Sequence, residues 1–349
     1  MAKNINLNEI AEMVTNRHGA RMKRSHKKDF REFISKTATA MGYDSRIENN
    51  VIAKNIVIGH PETAEIVLTA HYDTPPNMPY HFVKKQVTTF GIAIPAALGV
   101  GVVLTKYAIN SQNRELLDFM LNSIQTSTYM LDGIAALSLG VGLYSFGILG
   151  GENKHNYDDN SSGIITLLAL MNYYRNLPEN ERNKIAFVMF DNEEKGLVGS
   201  LCYASKHQIK NQNFLNFDCV GRGNQINCIY TGKVANEFTN DIYETLGSLA
   251  SQGYTPRLKK STIHTMSDHL PFMRSKGSLT ILCDEKDSPV TEHIHSSKDT
   301  EISLKTVSEI AKCSAETLNS LLGFNNENLA SCLNENDLVL TGTLSALQR

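Results

Sequence analysis

The feature that most constrains the fold of this chain is a set of short apolar runs that end on acidic or imidazole side chains. Glu65-Ile66-Val67-Leu68-Thr69-Ala70 leads into His71-Tyr72-Asp73. Lys184-Ile185-Ala186-Phe187-Val188-Met189-Phe190 leads into Asp191-Asn192-Glu193-Glu194. Short runs without polar alternation are typical of strands buried on both faces in α/β sheets. Further strand-like pieces lie at Asn50–Gly59, Phe214–Val220, Gln225–Tyr230 and Ser278–Cys283, with Asp218 at the end of Asn216-Phe217-Asp218. Helical periodicity appears over residues 5–42, where Leu7, Ile10, Ala11 and Val14 share one face and Phe30, Phe33, Ile34 and Ala38 another. It returns at Ser161–Asn176, Gly199–His207 and Ala235–Ser251. This alternation predicts an α/β fold, a three-layer sandwich with a mostly parallel central sheet flanked by helices. Ligands in such folds collect at the carboxyl ends of strands, where His71, Asp73, Glu193 and Glu194 stand.

Composition narrows the function classes. Over 349 residues, 34 Lys+Arg face 36 Asp+Glu, which excludes a nucleic-acid binder acting through a broad basic surface. The 41% hydrophobic and 20% charged content excludes a wholly disordered chain. The six cysteines form no CxxC pair, and several sit in apolar runs such as Leu279–Cys283, so they read as reduced core residues. The N-terminus, MAKNINLNEIAEM, lacks the apolar core of a secretory signal. A catalytic domain in the cytoplasm is the expectation.

One segment departs from this average. Between Gln86 and Gly151 the only charged side chains are Lys106, Arg114, Glu115, Asp118 and Asp132. Gln86 to Thr105 and Gly133 to Gly151 hold no charged side chain, and each approaches the ~20 residues that span a bilayer as a helix. Ala136 with Gly140, and Gly147 with Gly151, would allow close helix packing. Lys84-Lys85 before the segment and Lys154 after it place both flanks on the cytoplasmic side of a membrane. Two readings stay open: a hydrophobic helical hairpin that associates with a membrane through residues 86–151, or a hairpin folded on the catalytic domain.

The chemistry-bearing side chains are His71 and Asp73, Asp158-Asp159-Asn160-Ser161-Ser162-Gly163, Glu193-Glu194, Asp218, and His293-Ile294-His295 before Asp299-Thr300. Each piece has a bland reading: a polar surface pair, a helix N-cap, a solvated turn. Together, three carboxylates and two imidazoles could hold two divalent cations if one carboxylate bridges. Mixed His/Asp/Glu ligation suits zinc, with cobalt or manganese as substitutes. A carboxylate left free beside the pair could act as general base on an activated water.

In this order the motifs resemble the co-catalytic di-zinc aminopeptidases and glutamate carboxypeptidase of clan MH. The resemblance rests on His71-Tyr72-Asp73, Asp159-Asn160-Ser161-Ser162-Gly163 and Glu193-Glu194-Lys195-Gly196-Leu197-Val198-Gly199-Ser200. It also rests on Asp218, Ser267-Asp268-His269 and His295-Ser296-Ser297-Lys298-Asp299-Thr300. It implies one Zn2+ on His71, Asp159 and Asp218, a second on Asp159, Glu194 and His295, and Glu193 as general base. Asp73 would orient His71 through its far N–H. A cis peptide after Asp159 is implied as well. The register relative to Ser162-Gly163 and to Asp299 selects Asp159 over Asp158 and His295 over His293. The implied activity is that of a metal-dependent exopeptidase, foremost an aminopeptidase acting on a peptide with a free N-terminus. A glutaminyl cyclase, a small-amide deacylase and a non-catalytic scaffold are the alternatives on the same fold. Retention of His71, Glu193 and Glu194 speaks against the cyclase, and the full ligand set against the scaffold. The implied domain map is N-terminal helices over 1–45 packed on the peptidase domain, a peptidase domain of 46–85 and 152–324, the insertion 86–151, and a C-terminal appendage 325–349.

Overall fold

The computed structural model describes residues 7–77, 151–262, 265–285 and 293–324. The hydrophobic segment lies outside the described residues except for its last glycine, and so does the appendage 325–349. Among the described residues no helix is long and apolar enough to cross a membrane. The two stems of the insertion meet: Pro76 pairs antiparallel with Glu152, and the Asn77 amide donates to the Gly151 carbonyl at 2.9 Å.

Eight strands form one sheet: β1 (Ser45–Asn49), β2 (Lys54–Ile58), β3 (Ile66–His71), β4 (Ile185–Phe190), β5 (Asn213–Phe217), β6 (Gln225–Tyr230), β7 (Thr255–Lys260) and β8 (Gly277–Asp284). Their spatial order is β1-β2-β4-β3-β5-β8-β6-β7. The centre, β4-β3-β5-β8, is parallel, as the uninterrupted apolar runs require. The flanks are mixed: β1 with β2, β2 with β4, and β8 with β6 are antiparallel, while β6 and β7 run parallel. The sheet is therefore mixed around a parallel core, a finer picture than the mostly parallel one expected.

Both faces of the sheet are covered, which makes three layers. Along β3 and β4, Ile66, Leu68, Ala70, Ile185, Phe187 and Met189 face one side, and Val67, Val188 and Phe190 the other. This two-residue alternation follows from strand geometry. The larger core packs beneath α1 (Leu7–Glu12), α2 (Arg24–Ala40), α3 (Gly163–Tyr174), α6 (Glu237–Gly247) and α7 (Leu304–Leu322), counting the helices between as α4 (Glu179–Arg182) and α5 (Val198–Lys206). The smaller core gathers Phe214, Phe272, Phe190 and Tyr203 under α5; the Phe214 and Phe272 rings stack at 3.9 Å. Helix starts follow their side chains: Asn236 caps α6 through the Thr239 amide at 3.0 Å, and Ser303 caps α7 through the Thr306 amide at 3.2 Å.

The parallel core fixes the site. Adjacent strands β4, β3 and β5 end side by side. Asp191–Glu194 follow β4, His71 closes β3, and Asp218 follows β5. Of the cysteines, Cys202, Cys219, Cys228, Cys283 and Cys313 are free, and all but Cys202 are buried.

Candidate metal centre

Five side chains singled out by their motifs converge at those strand ends. The His71 Nε2 lies 3.2 Å from Asp159 Oδ1 and 3.7 Å from Asp218 Oδ1. The His295 Nε2 lies 3.0 Å from Asp159 Oδ2 and 3.3 Å from Glu194 Oε2. Asp159 thus turns one oxygen to each imidazole. His71 and Asp159 are buried, while the His295 side chain keeps 23% of its surface.

The loop that delivers Asp159 is set by neighbouring side chains. Asp299 accepts the amides of Asp158 and Asp159 at 2.8 and 3.0 Å. The Asp159–Asn160 peptide is cis. The Asn160 side chain then donates to the Phe217 carbonyl at 2.9 Å and accepts from the Gly163 amide at 3.0 Å. Gly163 must be glycine for space: a Cβ there would stand 2.4 Å from the Phe217 carbonyl oxygen. Asp158 turns instead to the Gly221 amide, 2.8 Å from its Oδ1.

Asp73 sits behind His71 in a different way from the expectation. The acceptor nearest the His71 Nδ1 is the Asp73 main-chain carbonyl at 3.2 Å; the carboxylate is 3.7 Å away. That carboxylate accepts the Glu193 amide at 2.9 Å, so Asp73 steadies the Glu193 loop as well as the imidazole. The Ser267 hydroxyl donates to Asp218 Oδ2 at 2.5 Å and accepts from Asn216 at 2.9 Å. Ser267 belongs to a motif visible in the sequence, but its contact with Asp218 needed the fold. Asp268 and His269 are completely buried; His269 meets Thr280 at 2.8 Å.

The electrostatics are those of an acid-rich, largely buried pocket. Burial pushes the Glu193 carboxyl well above the usual range; His71 opposes this, and Glu194, Asp268 and Asp218 add to it. Glu194 is likewise raised by burial and by Asp159. Burial alone would lower His71, but Glu193, Asp159, Asp218 and Asp73 outweigh it and hold the imidazole well above its ordinary value. Burial would raise Asp159, yet His295 and His71 keep it low. Burial raises Asp158 to about 8 and Asp268 to about 7.

This donor set fits a divalent cation. Donors at 2.0–2.1 Å from a tetrahedral centre lie about 3.3 Å from each other, close to the separations among His71, Asp159, His295 and Glu194. His71, Asp159 and Glu194 each place a donor atom within 4.8 Å of the others, as do Asp159, Asp218 and Cys219. The buried Glu194 Oε1 has no hydrogen-bond partner. Buried carboxylates crowded in this way need either protons or a counter-charge, and a bound cation would supply the latter.

Residues 149–318 match the model of peptidase family M28. That stretch is an M28 domain. The domain match contains Asp159, Glu193, Glu194, Asp218 and His295, while His71 and Asp73 lie before it, across the insertion. No curated protein sequence matches the chain. Among solved structures, the fold that carries the M28 domain resembles glutaminyl cyclase from Porphyromonas gingivalis at TM-score 0.55 and 13% identity, covering 91% of this chain and 99% of that one. A Zn-dependent exopeptidase from Parabacteroides distasonis gives TM-score 0.54 and 13% identity, covering 93% and 100%. A leucine aminopeptidase precursor from Bacteroides thetaiotaomicron gives 0.55 and 13%, covering 91% and 98%. At these identities the likeness concerns the fold.

Proposed function

We propose that the protein is a zinc-dependent exopeptidase of the M28 type, and specifically an aminopeptidase. The observation that carries this reading is the position of Asp159, with one oxygen toward the His71 imidazole, which Asp218 also approaches, and the other toward the His295 imidazole, which Glu194 also approaches. His71, Asp159 and Asp218 would hold one zinc, and Asp159, Glu194 and His295 the other; cobalt or manganese suits the same donors. When bound, such ions supply Lewis-acid polarisation of the scissile carbonyl and ready deprotonation of water.

The chain's own residues do the rest. Glu193 takes the proton of the attacking water and hands it to the departing amine. Asp73 holds the Glu193 loop through the Glu193 amide, so the base stays beside the ligand loop it must serve. Ser267 fixes the Asp218 carboxylate, and Asp299 fixes the Asp159 main chain. The part-buried setting keeps bulk water from the proton transfer.

A panel of aminoacyl-p-nitroanilides, given to zinc-loaded full-length protein with and without chelator, tests the reading. Chelator-sensitive cleavage of unblocked substrates, with N-acetylated ones untouched, is the expected result. Cyclisation of N-terminal glutamine in place of hydrolysis would assign the site to a cyclase, and no turnover of either substrate would defeat the enzyme reading.

A further inference from the structure

Arg21 is a completely buried cation that the proposed chemistry leaves unused. It lies between α1 and α2, outside the stretch that matches M28. Its Nε donates to the Tyr72 carbonyl at 2.5 Å, and one terminal nitrogen to the His18 carbonyl at 2.7 Å and the Val14 carbonyl at 3.4 Å. The other terminal nitrogen donates to the Ser161 Oγ at 3.1 Å. The guanidinium stands 5.2 Å from the Phe30 ring centre. Its main-chain amide donates to the Thr74 hydroxyl at 2.9 Å. Every one of these acceptors is neutral. A buried charge without a carboxylate in contact is costly unless fixed charges nearby balance it. Burial lowers the guanidinium to about 10, and Asp73, Asp159 and Asp299 work against that loss.

The acceptors are informative. Tyr72 stands between His71 and Asp73, and Ser161 stands two residues after Asp159. One planar, rigid donor fork therefore spans the two loops that carry the first ligand and the shared one. A second cation on the same segment repeats the pattern. The Lys27 Nζ lies 2.6 Å from Asp191 Oδ1 and 2.6 Å from Asn192 Oδ1, immediately before Glu193-Glu194. Asn192 holds a left-handed backbone, φ 57°, and its side chain also donates to the Ile52 carbonyl.

We propose that Arg21 and Lys27 are positioning residues of the metal centre: Arg21 sets the spacing of the His71 and Asp159 loops, and Lys27 seats the Glu193-Glu194 loop. The N-terminal segment is then a working part of the site. This rests on the ligand assignment above, but its test needs no substrate. Zinc affinity is measured on full-length Arg21→Met, Arg21→Lys, Lys27→Met and Ser161→Ala by competition with a chromophoric chelator. Melting in excess chelator is followed in parallel, and KM and kcat are taken at saturating zinc.

Loss of a group that orients metal ligands weakens binding about 10- to 100-fold, and Arg21→Met is expected in that range, with kcat falling and KM little changed. Arg21→Lys, which keeps the charge and loses the fork, recovers only part, and Ser161→Ala falls a few-fold with its melting temperature intact. A folded Lys27→Met falls a few-fold as well, and wild-type zinc affinity there overturns the role of Lys27. A folded Arg21→Met with unchanged or tighter zinc binding overturns the proposal, because a plain charge repelling the ions would act in that direction. Should Arg21→Met not fold, wild-type zinc affinity in both Arg21→Lys and Ser161→Ala overturns it. Zinc binding by a wild type that cleaves no peptide would defeat the proposed function and leave this inference standing.

Discussion

Among the described residues, two clusters bring a histidine within reach of two carboxylates, and they differ in what neutralises them. Glu48, Glu62 and His207 meet at the outer edge of the sheet. There Arg46 contacts Glu48 at 3.2 Å and also Glu62, while His207 pairs with Glu48 at 3.0 Å and stacks on Tyr203. Glu62 keeps half of its side-chain surface, so water shares the load. His71, Asp159 and Glu194 meet at the carboxyl ends of the central strands, buried, with two imidazoles facing at least four acidic groups. Ligand-like spacing is common to both. The difference is charge balance: the outer cluster is complete with its arginine, and the inner one is short of positive charge that divalent cations would bring.

Asp159 carries the largest expected effect, because it faces both imidazoles of the inner cluster. Asp159→Asn removes the charge shared between the two imidazoles, and we expect loss of bound zinc from both positions and activity below detection. Metal content after gel filtration checks this; retention of a full zinc complement would place the ions elsewhere. Glu193→Gln comes next. It is expected to keep the zinc while turnover drops by about 10²–10⁴. Wild-type turnover in that variant would remove Glu193 as the base.

Much of this centre was legible in the sequence because parallel strands buried on both faces must be apolar to their ends, so a His or Asp at the end stands out. His71, Glu193 and Asp218 could be placed that way. Other parts were not legible. β1, Ser-Arg-Ile-Glu-Asn, and β7, Thr-Pro-Arg-Leu-Lys-Lys, are edge strands whose polar side chains face water, so no apolar run marks them. The run expected over Asn50–Gly59 starts as strand only at Lys54, since Val51 and Ile52 are exposed in the β1–β2 turn. The antiparallel flanks could not be read either, because strand direction follows from crossovers that leave no local mark. The Asp73 carboxylate, expected on His71, stands 3.7 Å from its Nδ1 and also takes the Glu193 amide, a second contact, 120 residues apart in sequence, that no local pattern marks.

Within the inner cluster the two halves also differ, and this supports a finer test. His71 closes a strand and is 1% exposed at its side chain, whereas His295 sits on a loop with φ 61° and 23% exposure. The loop half should therefore give up its ion first. Stepwise chelation followed by metal analysis is expected to show one zinc leaving well before the other, and His295→Ala should bind about one zinc fewer while staying folded. Simultaneous loss of both ions, in the wild type and in His295→Ala, would show that the halves are not separable. Ser267→Ala acts more mildly: it frees one Asp218 oxygen from its donor, and a few-fold loss of zinc affinity is expected.

The smallest effect belongs to the outer cluster, and it is the control for all the others. Burial alone would raise the Glu48 carboxyl, but the His207 hydrogen bond, with Arg46 behind it, holds it below its ordinary range. A carboxyl lowered in the folded state contributes stability that is present above its unfolded value, near about 4.3, and is lost as pH falls through the folded value. Glu48→Gln should then cost about 0.2–1 kcal/mol at pH 7, in keeping with partly exposed ion pairs. The difference from wild type should shrink as the pH is taken below that of free carboxylates. Its zinc content and turnover should not change, because Arg46 and the water around the half-exposed Glu62 already offset the charge of the cluster. A fall in zinc content in Glu48→Gln would mean that the outer cluster also holds an ion, and that charge balance is not what separates the two.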